Sequence, residues 1–138
     1  MGFCKNCNKK LIKGQSKYCS NKCQMEFQQT KWERKWKDGL VSGVKGEYDV
    51  SYYLRTYLLK KYNNRCSVCG WHEINPFTGR VPLEVEHIDG DSTNNKEENL
   101  TILCPNCHSL MRTYKGANTG HGRTARKKYY IGNMRANQ

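Results

Sequence analysis

The sequence predicts a small α+β fold in which cross-links supplement a modest core. The chain has 138 residues, of which 36% are hydrophobic, so it can bury little apolar surface and needs further stabilisation. Apolar residues recur at helical spacing near residues 21–37 and 49–63, and these segments are predicted to be helices. The alternating stretch "VPLEVEH" (81–87) and the run "LTIL" (100–103) are predicted to be strands, and a helix is predicted from Cys104 onward.

Eight cysteines supply the cross-links, and they fall into two sets of four that each open with the spacing C-x2-C. The alternative of a disulfide framework needs an oxidising compartment. Because the sequence shows neither a secretory signal nor a membrane-spanning run, we expect a cytoplasmic protein, in which such spacing favours tetrahedral zinc. The sequence therefore predicts two structural zinc sites, formed by Cys4, Cys7, Cys19 and Cys23 and by Cys66, Cys69, Cys104 and Cys107.

Positive charge is concentrated at the two ends of the chain. Residues 1–38 contain ten Lys and Arg against three acidic residues, residues 39–110 seven against nine, and residues 111–138 seven against none. Basic arms around a slightly acidic centre indicate a polyanionic partner such as nucleic acid, although a well-solvated surface would also be basic. We expect the C-terminal contacts to come from Arg112, Lys115, Arg123, Arg126, Lys127 and Lys128.

Four segments are predicted along the chain. A zinc finger with its helix occupies residues 1–38, and a linker with several glycines occupies residues 39–48. The central domain follows at residues 49–115, and a basic tail completes the sequence at residues 116–138. The opening C-x2-C is the only similarity between the two zinc regions, so we predict that they are not repeats.

Both predicted helices have an apolar face. In the first helix, Met25, Trp32 and Trp36 share a face, and we expect the two tryptophans to pack against the zinc finger rather than stack on bases. The second helix is predicted to start at a cap formed by Asp49 or Ser51 and to bury a stripe made of Val50, Tyr53, Leu54, Tyr57, Leu58 and Tyr62. Its basic side chains are predicted to face solvent, and these are Arg55, Lys60 and Lys61.

Four polar residues are expected to meet beside the second zinc site. Glu86 and His87 end one predicted strand, Asn99 starts the next, and His108 lies in the first turn of the helix that follows. A β-hairpin packed on that helix would bring the four side chains together. The zinc would tie the base of the hairpin to the helix.

This pattern resembles the HNH endonucleases, which have a ββα-metal fold with an acid–His pair, a later Asn and a final His or Asn. The matching stretches are "KYNNRCSVCGW", "PLEVEHIDGD" and "NKEENLTILCPNCHSL", with 12 residues from His87 to Asn99 and 9 from Asn99 to His108. The resemblance is strong over about residues 50–115. Within the family, this segment is most similar to the small nucleases that phages encode, which include homing endonucleases. It implies metal-dependent hydrolysis of DNA phosphodiester bonds, by nicking or cutting double-stranded DNA.

The resemblance also implies a role for each residue. His87 would be the general base that takes a proton from water. Glu86 and His108 would hold one catalytic divalent cation, which is Mg²⁺ or alternatively Mn²⁺ or Ni²⁺. Asn99 would form hydrogen bonds at the hairpin and orient His87 in its usable tautomer.

The acidic position departs from the family pattern, because the family more often has Asp where this chain has Glu86. Asp89 and Asp91 lie close by and are alternative ligands, although Asp-Gly and Asp-Ser are ordinary turn pairs and we interpret both residues as turn formers. His72 and His121 lie outside the motif and are not expected to be ligands.

Two other functions remain open at this stage. The chain could be a zinc-stabilised nucleic-acid-binding module with an inactive site, or a zinc module whose basic arms bind an acidic protein. One HNH centre cuts one strand, so nicking is expected unless the chain forms a dimer. The target sequence, the oligomeric state and the biological role are left open.

Overall fold

The computed structural model describes residues 2–46 and 49–115. The predicted basic tail lies outside the described residues, together with His121 and four of the predicted DNA contacts, namely Arg123, Arg126, Lys127 and Lys128. The chain forms two compact units, Met1–Ser42 and Gly43–Gln138. Each unit contains one of the two cysteine sets.

The first unit is built around its cysteines. Phe3 and Lys10 form an isolated antiparallel bridge, and the backbone N–H of Cys4 donates to the Lys9 carbonyl at 2.8 Å. The buried cluster consists of Cys4, Leu11 and Cys23, with Tyr18 and Cys19 packed against it. A cluster this small leaves most of the stabilisation to whatever the thiols bind.

Helix α1 spans Asn21–Lys37, as the periodicity predicts, and Ser20 caps it by accepting a hydrogen bond from the Cys23 N–H. Trp36 is buried and its ring stacks on Trp32 with the centroids 5.7 Å apart. Met25, which was predicted to lie on the same face, is 54% exposed. Neither tryptophan belongs to the described buried cluster around the cysteines, so the finger's core is completed by Leu11 and Tyr18 instead.

The second unit begins with two short antiparallel strands, β1 (Val44–Lys45) and β2 (Asp49–Val50). Helix α2 follows at Tyr52–Lys61, and its N-cap is Ser51, whose hydroxyl accepts a hydrogen bond from the Leu54 N–H. Of the two predicted caps, Asp49 is instead part of β2. The predicted stripe is confirmed at its centre, where Leu54 and Leu58 are fully buried.

The predicted hairpin is confirmed. Strands β3 (Glu84–His87) and β4 (Leu100–Leu103) pair antiparallel, with Glu86 opposite Thr101 and His87 opposite Leu100. A 3-10 turn at Glu97–Asn99 leads into β4, and the short helix α3 (Pro105–Ser109) follows it. Helix α2 packs on β4, and α3 packs on both strands. The fold is therefore α+β, and its fully buried side chains are Leu54, Leu58, Leu83, Leu100, Ile102 and Leu103.

Polar contacts connect α2 to the hairpin and correct one prediction. Arg55 does not point into solvent, because its guanidinium donates to the Leu83 carbonyl at 2.6 Å just before β3. Glu97 accepts hydrogen bonds from the Tyr57 hydroxyl at 2.8 Å and from Lys61 Nζ at 3.3 Å. Helix α2 is thus hydrogen-bonded to Leu83 and to Glu97, which lie on either side of the segment that contains Glu86 and His87.

Candidate active site

The thiols of each cysteine set lie close enough to bind one metal ion. In both sets the sulfur atoms all lie within 4.8 Å of one another, and all eight cysteines are free. The Cys7–Cys19, Cys19–Cys23 and Cys69–Cys104 sulfur pairs are 3.6, 3.5 and 3.7 Å apart. Tetrahedral zinc with Zn–S bonds of about 2.3 Å separates its sulfurs by about 3.8 Å, whereas a disulfide needs about 2.05 Å. The sets therefore have the geometry of metal sites.

The electrostatics of these thiols also suit a cation. The backbone N–H of Cys7 lowers the pKa of Cys4 to about 6. Burial raises the pKa of Cys66, but the backbone N–H groups of Cys69, Cys104 and Val68 outweigh it and lower that pKa to about 6. Each set thus contains at least one thiol whose pKa is lowered, and the thiolate is the form that binds zinc.

The second cysteine set joins three elements of the fold. Cys66 lies beyond the end of α2, and the next residue, Ser67, donates its N–H to the Ile102 carbonyl at 2.9 Å. The Ser67 hydroxyl also lies 2.7 Å from that of Thr101. Cys104 caps α3, because its sulfur accepts a hydrogen bond from the Cys107 N–H. A metal in this set would hold α2, the hairpin and α3 together, as the sequence predicts.

Glu86 and His108 form the clearest candidate for a second kind of metal site. Glu86 is 5% exposed, and its Oε2 lies 2.8 Å from His108 Nδ1. Although the two atoms are close, Nδ1 is buried and has no aligned hydrogen bond within the described residues. Two adjacent ligands of an octahedral ion, each about 2.1 Å from it, are about 3.0 Å apart. The orphaned nitrogen and this spacing fit a shared divalent cation.

Two neighbours hold this pair in place. The Thr113 hydroxyl donates to Glu86 Oε1 at 2.7 Å, so one carboxylate oxygen is held while the other faces His108. On the opposite side of the imidazole, Glu84 Oε2 lies 3.1 Å from Nε2. Glu84 and Glu86 share a face of β3 because strand side chains alternate, which explains why both reach the same histidine.

His87, the next residue, ends β3 and has a different partner. Its Nε2 lies 2.7 Å from Asn95 Oδ1, and Asn95 is only 6% exposed. Since consecutive Cα atoms are about 3.8 Å apart, His87 and Glu86 are adjacent although their side chains leave opposite faces of the strand. The base and the acidic ligand predicted from the sequence therefore flank the end of one strand.

Asn99 holds the loop between β3 and β4. Its Oδ1 accepts from the Asp89 N–H at 2.9 Å, and its Nδ2 donates to Asp89 Oδ1 and to the Asn94 carbonyl, each at 2.9 Å. The predicted hydrogen bonds at the hairpin are present, and the described partner of the His87 imidazole is Asn95. Asn99 is buried, and both polar atoms of its amide form hydrogen bonds within the loop.

The two aspartates of the loop are turn formers, as interpreted from the sequence. Asp89 accepts from the Asp91 N–H at 2.8 Å, and Asp91 accepts from the N–H and hydroxyl of Thr93 at 2.9 and 2.6 Å. The Thr93 hydroxyl is the main cause of the lowered pKa of Asp91. The described residues contain no cluster of three or more metal-binding side chains besides the two cysteine sets.

Three residues of the site were missed from the sequence. Glu84 could have been found, because it lies two residues before Glu86 on a predicted strand and shares its face. Asn95 and Thr113 carry no signal of spacing or composition. Of the predicted DNA contacts, Arg112 and Lys115 are exposed a few residues beyond His108; their role stays a prediction.

The model of the family described as HNH endonuclease matches residues 66–111. The matched segment, one third of the chain, is thus similar to the HNH endonucleases. It includes the second cysteine set, Glu86, His87, Asn99 and His108, so the resemblance inferred from these residues is confirmed.

A curated relative extends the similarity beyond the HNH segment. The chain is 35% identical over 91 residues to the H-N-H endonuclease F-TflIV of Escherichia phage T5, and the match covers 64% of this chain and 39% of that protein. The chain thus spans about two fifths of the relative's length. No solved structure matches the chain. Within residues 2–46 and 49–115, no helix combines the length and apolar character that crossing a bilayer requires.

Proposed function

We propose that the protein is a metal-dependent HNH endonuclease that hydrolyses phosphodiester bonds of double-stranded DNA. The observation that carries the proposal is the pair formed by the buried Glu86 and the half-buried His108, whose facing atoms are 2.8 Å apart without an aligned hydrogen bond. The base candidate His87 is the next residue on the same strand. A pair of metal ligands and a proton acceptor thus lie at the end of β3. A module that only binds nucleic acid does not need this combination.

The residues have complementary roles in this proposal. His87 in its neutral form takes a proton from the attacking water. Glu86 and His108 hold one divalent cation, Mg²⁺ or alternatively Mn²⁺ or Ni²⁺. The ion supplies charge stabilisation at the reacting phosphate and at the leaving oxygen. The hydrogen bond from Thr113 and the loop held by Asn99 keep these groups in position.

The remaining parts of the chain support binding and folding. We propose that both cysteine sets hold structural zinc, because a four-thiol site leaves no open position for chemistry. Arg112, Lys115 and the basic tail supply affinity for the DNA backbone. Similarity to a phage endonuclease supports a phage-type enzyme, homing types included, and one centre in each chain supports nicking.

A plasmid-nicking assay with Mg²⁺, Mn²⁺, Ni²⁺ or EDTA tests the proposal. We expect nicking that requires a divalent ion and that falls by at least about a hundredfold in His87→Ala, since general-base groups contribute on that scale. His72→Ala is the matched control, because His72 is exposed and lies outside the site. Full activity of folded His87→Ala would overturn the assigned base. DNA binding without cleavage under every metal condition would identify an inactive binding module.

A further inference from the structure

From the contacts of His87 we infer that Asn95 is a positioning residue, which holds the imidazole in the tautomer that carries its proton on Nε2 and presents Nδ1 to the attacking water. The inference rests on the proposed nuclease function, since it assigns the nitrogen that acts as the base. It concerns a residue outside the acid–His, Asn and His positions of the motif.

The hydrogen bond itself selects the tautomer. Asn95 Oδ1 lies 2.7 Å from His87 Nε2, and an amide oxygen can only accept a hydrogen bond. Nε2 must therefore donate, and in a neutral imidazole the lone pair then lies on Nδ1. Nδ1 of His87 has no hydrogen-bond partner within residues 2–46 and 49–115, so this lone pair is left for water.

The loop keeps the Asn95 amide in place. The preceding residue, Asn94, is held at three points: its N–H donates to the Asp91 carbonyl at 3.1 Å, its side chain donates to Asp89 Oδ2 at 2.7 Å, and its carbonyl accepts from Asn99 Nδ2 at 2.9 Å. Asn95 is 6% exposed, so its side chain has little room to change rotamer. The backbone before Asn95 is thus held by hydrogen bonds, and burial restricts the Asn95 side chain.

This arrangement gives Asn99 an indirect role. Asn99 closes the loop onto Asp89 and Asn94, and the closed loop places Asn95 against His87. The predicted orientation of His87 by Asn99 is then achieved through Asn95. Side chains that orient a catalytic or metal-binding histidine typically contribute ten- to a hundredfold to activity.

The test reads the tautomer directly by ¹⁵N NMR of the histidine side chains in the full-length, zinc-loaded protein, at a pH where His87 is neutral. We expect wild type to show a protonated Nε2 and an unprotonated Nδ1. Asn95→Ala should show a mixture of both tautomers, while Asn95→Asp, which keeps an acceptor oxygen, should retain the wild-type signature. Lys96→Gln is the neighbouring control, because the described Lys96 side chain forms no cap hydrogen bond.

Kinetics give a second and separate readout. In the nicking assay, Asn95→Ala should lower kcat about ten- to a hundredfold and leave the KM for DNA unchanged. A proton on Nδ1 in wild type, or an Asn95→Ala spectrum like that of wild type, would overturn the inference even if the variant were unstable. Because the NMR signature needs no catalysis, a wild-type protein that holds the expected tautomer but never nicks DNA would refute the nuclease proposal alone.

Discussion

Replacing Cys104 with serine should unfold the second unit while leaving the first unit folded. Cys104 is 4% exposed, and its sulfur also caps α3. Serine is itself a good N-cap residue, so the substitution preserves the cap and removes only the thiolate. Any loss of stability can therefore be attributed to metal binding.

The expected magnitude is larger than the second unit can tolerate. Structural zinc in a four-ligand site contributes roughly 10–16 kcal/mol to folding, whereas the net stability of a whole domain is about 5–15 kcal/mol. Among the described residues of the second unit, the largest fully buried side chains number six, and a core of this size suits a domain that relies on its metal. Losing even half of the zinc contribution would remove most of the net stability.

The assay combines zinc stoichiometry with urea unfolding followed by circular dichroism and amide NMR. Wild type should hold two zinc ions per chain, and Cys104→Ser should hold one and lose the dispersed signals of β3 and β4. Cys4→Ser is the matched control, because it removes a thiolate from the first unit and should leave those strand signals unchanged. A Cys104→Ser protein with one zinc ion and the urea midpoint of wild type would refute the reasoning.

Two further predictions concern metal binding and DNA binding. Thr113→Val removes, at nearly constant volume, the hydroxyl that donates to Glu86 Oε1 at 2.7 Å. We expect the Mn²⁺ dissociation constant from isothermal titration calorimetry to rise about tenfold, and an unchanged constant would show that Thr113 does not orient the carboxylate. Cys4→Ser should weaken DNA binding while the second unit stays folded, because the substitution disrupts the basic N-terminal unit. Fluorescence anisotropy measures the DNA affinity, and an affinity equal to that of wild type would assign the finger a different role.

The elements that follow from local rules were predictable. Helix α1 follows Ser20, a residue type that favours helix N-caps, and its bounds Asn21–Lys37 match the prediction. Strands β3 and β4 show alternation or an apolar run, and the grouping of the cysteines follows from their spacing. The contact between Glu86 and His108 also follows, because a hairpin packed on the next helix brings their positions together.

The contacts that were not predictable depend on closure of the chain in three dimensions. Arg55 reaches a carbonyl 28 residues away, and a basic residue beside an apolar stripe gives no sign of that. The partner of His87 depends on the path of the β3–β4 loop, which is set by the side chains of Asp89 and Asn99 together.

Cys104 and His108 are one helical turn apart, and the His108 N–H donates to the Cys104 carbonyl at 2.9 Å. Cys104, a proposed ligand of the structural ion, and His108, a proposed ligand of the catalytic ion, are therefore about 6 Å apart along the axis of α3. Cobalt substituted into the four-thiol set would accordingly act as an optical reporter, whose absorption bands respond when a second ion engages Glu86 and His108.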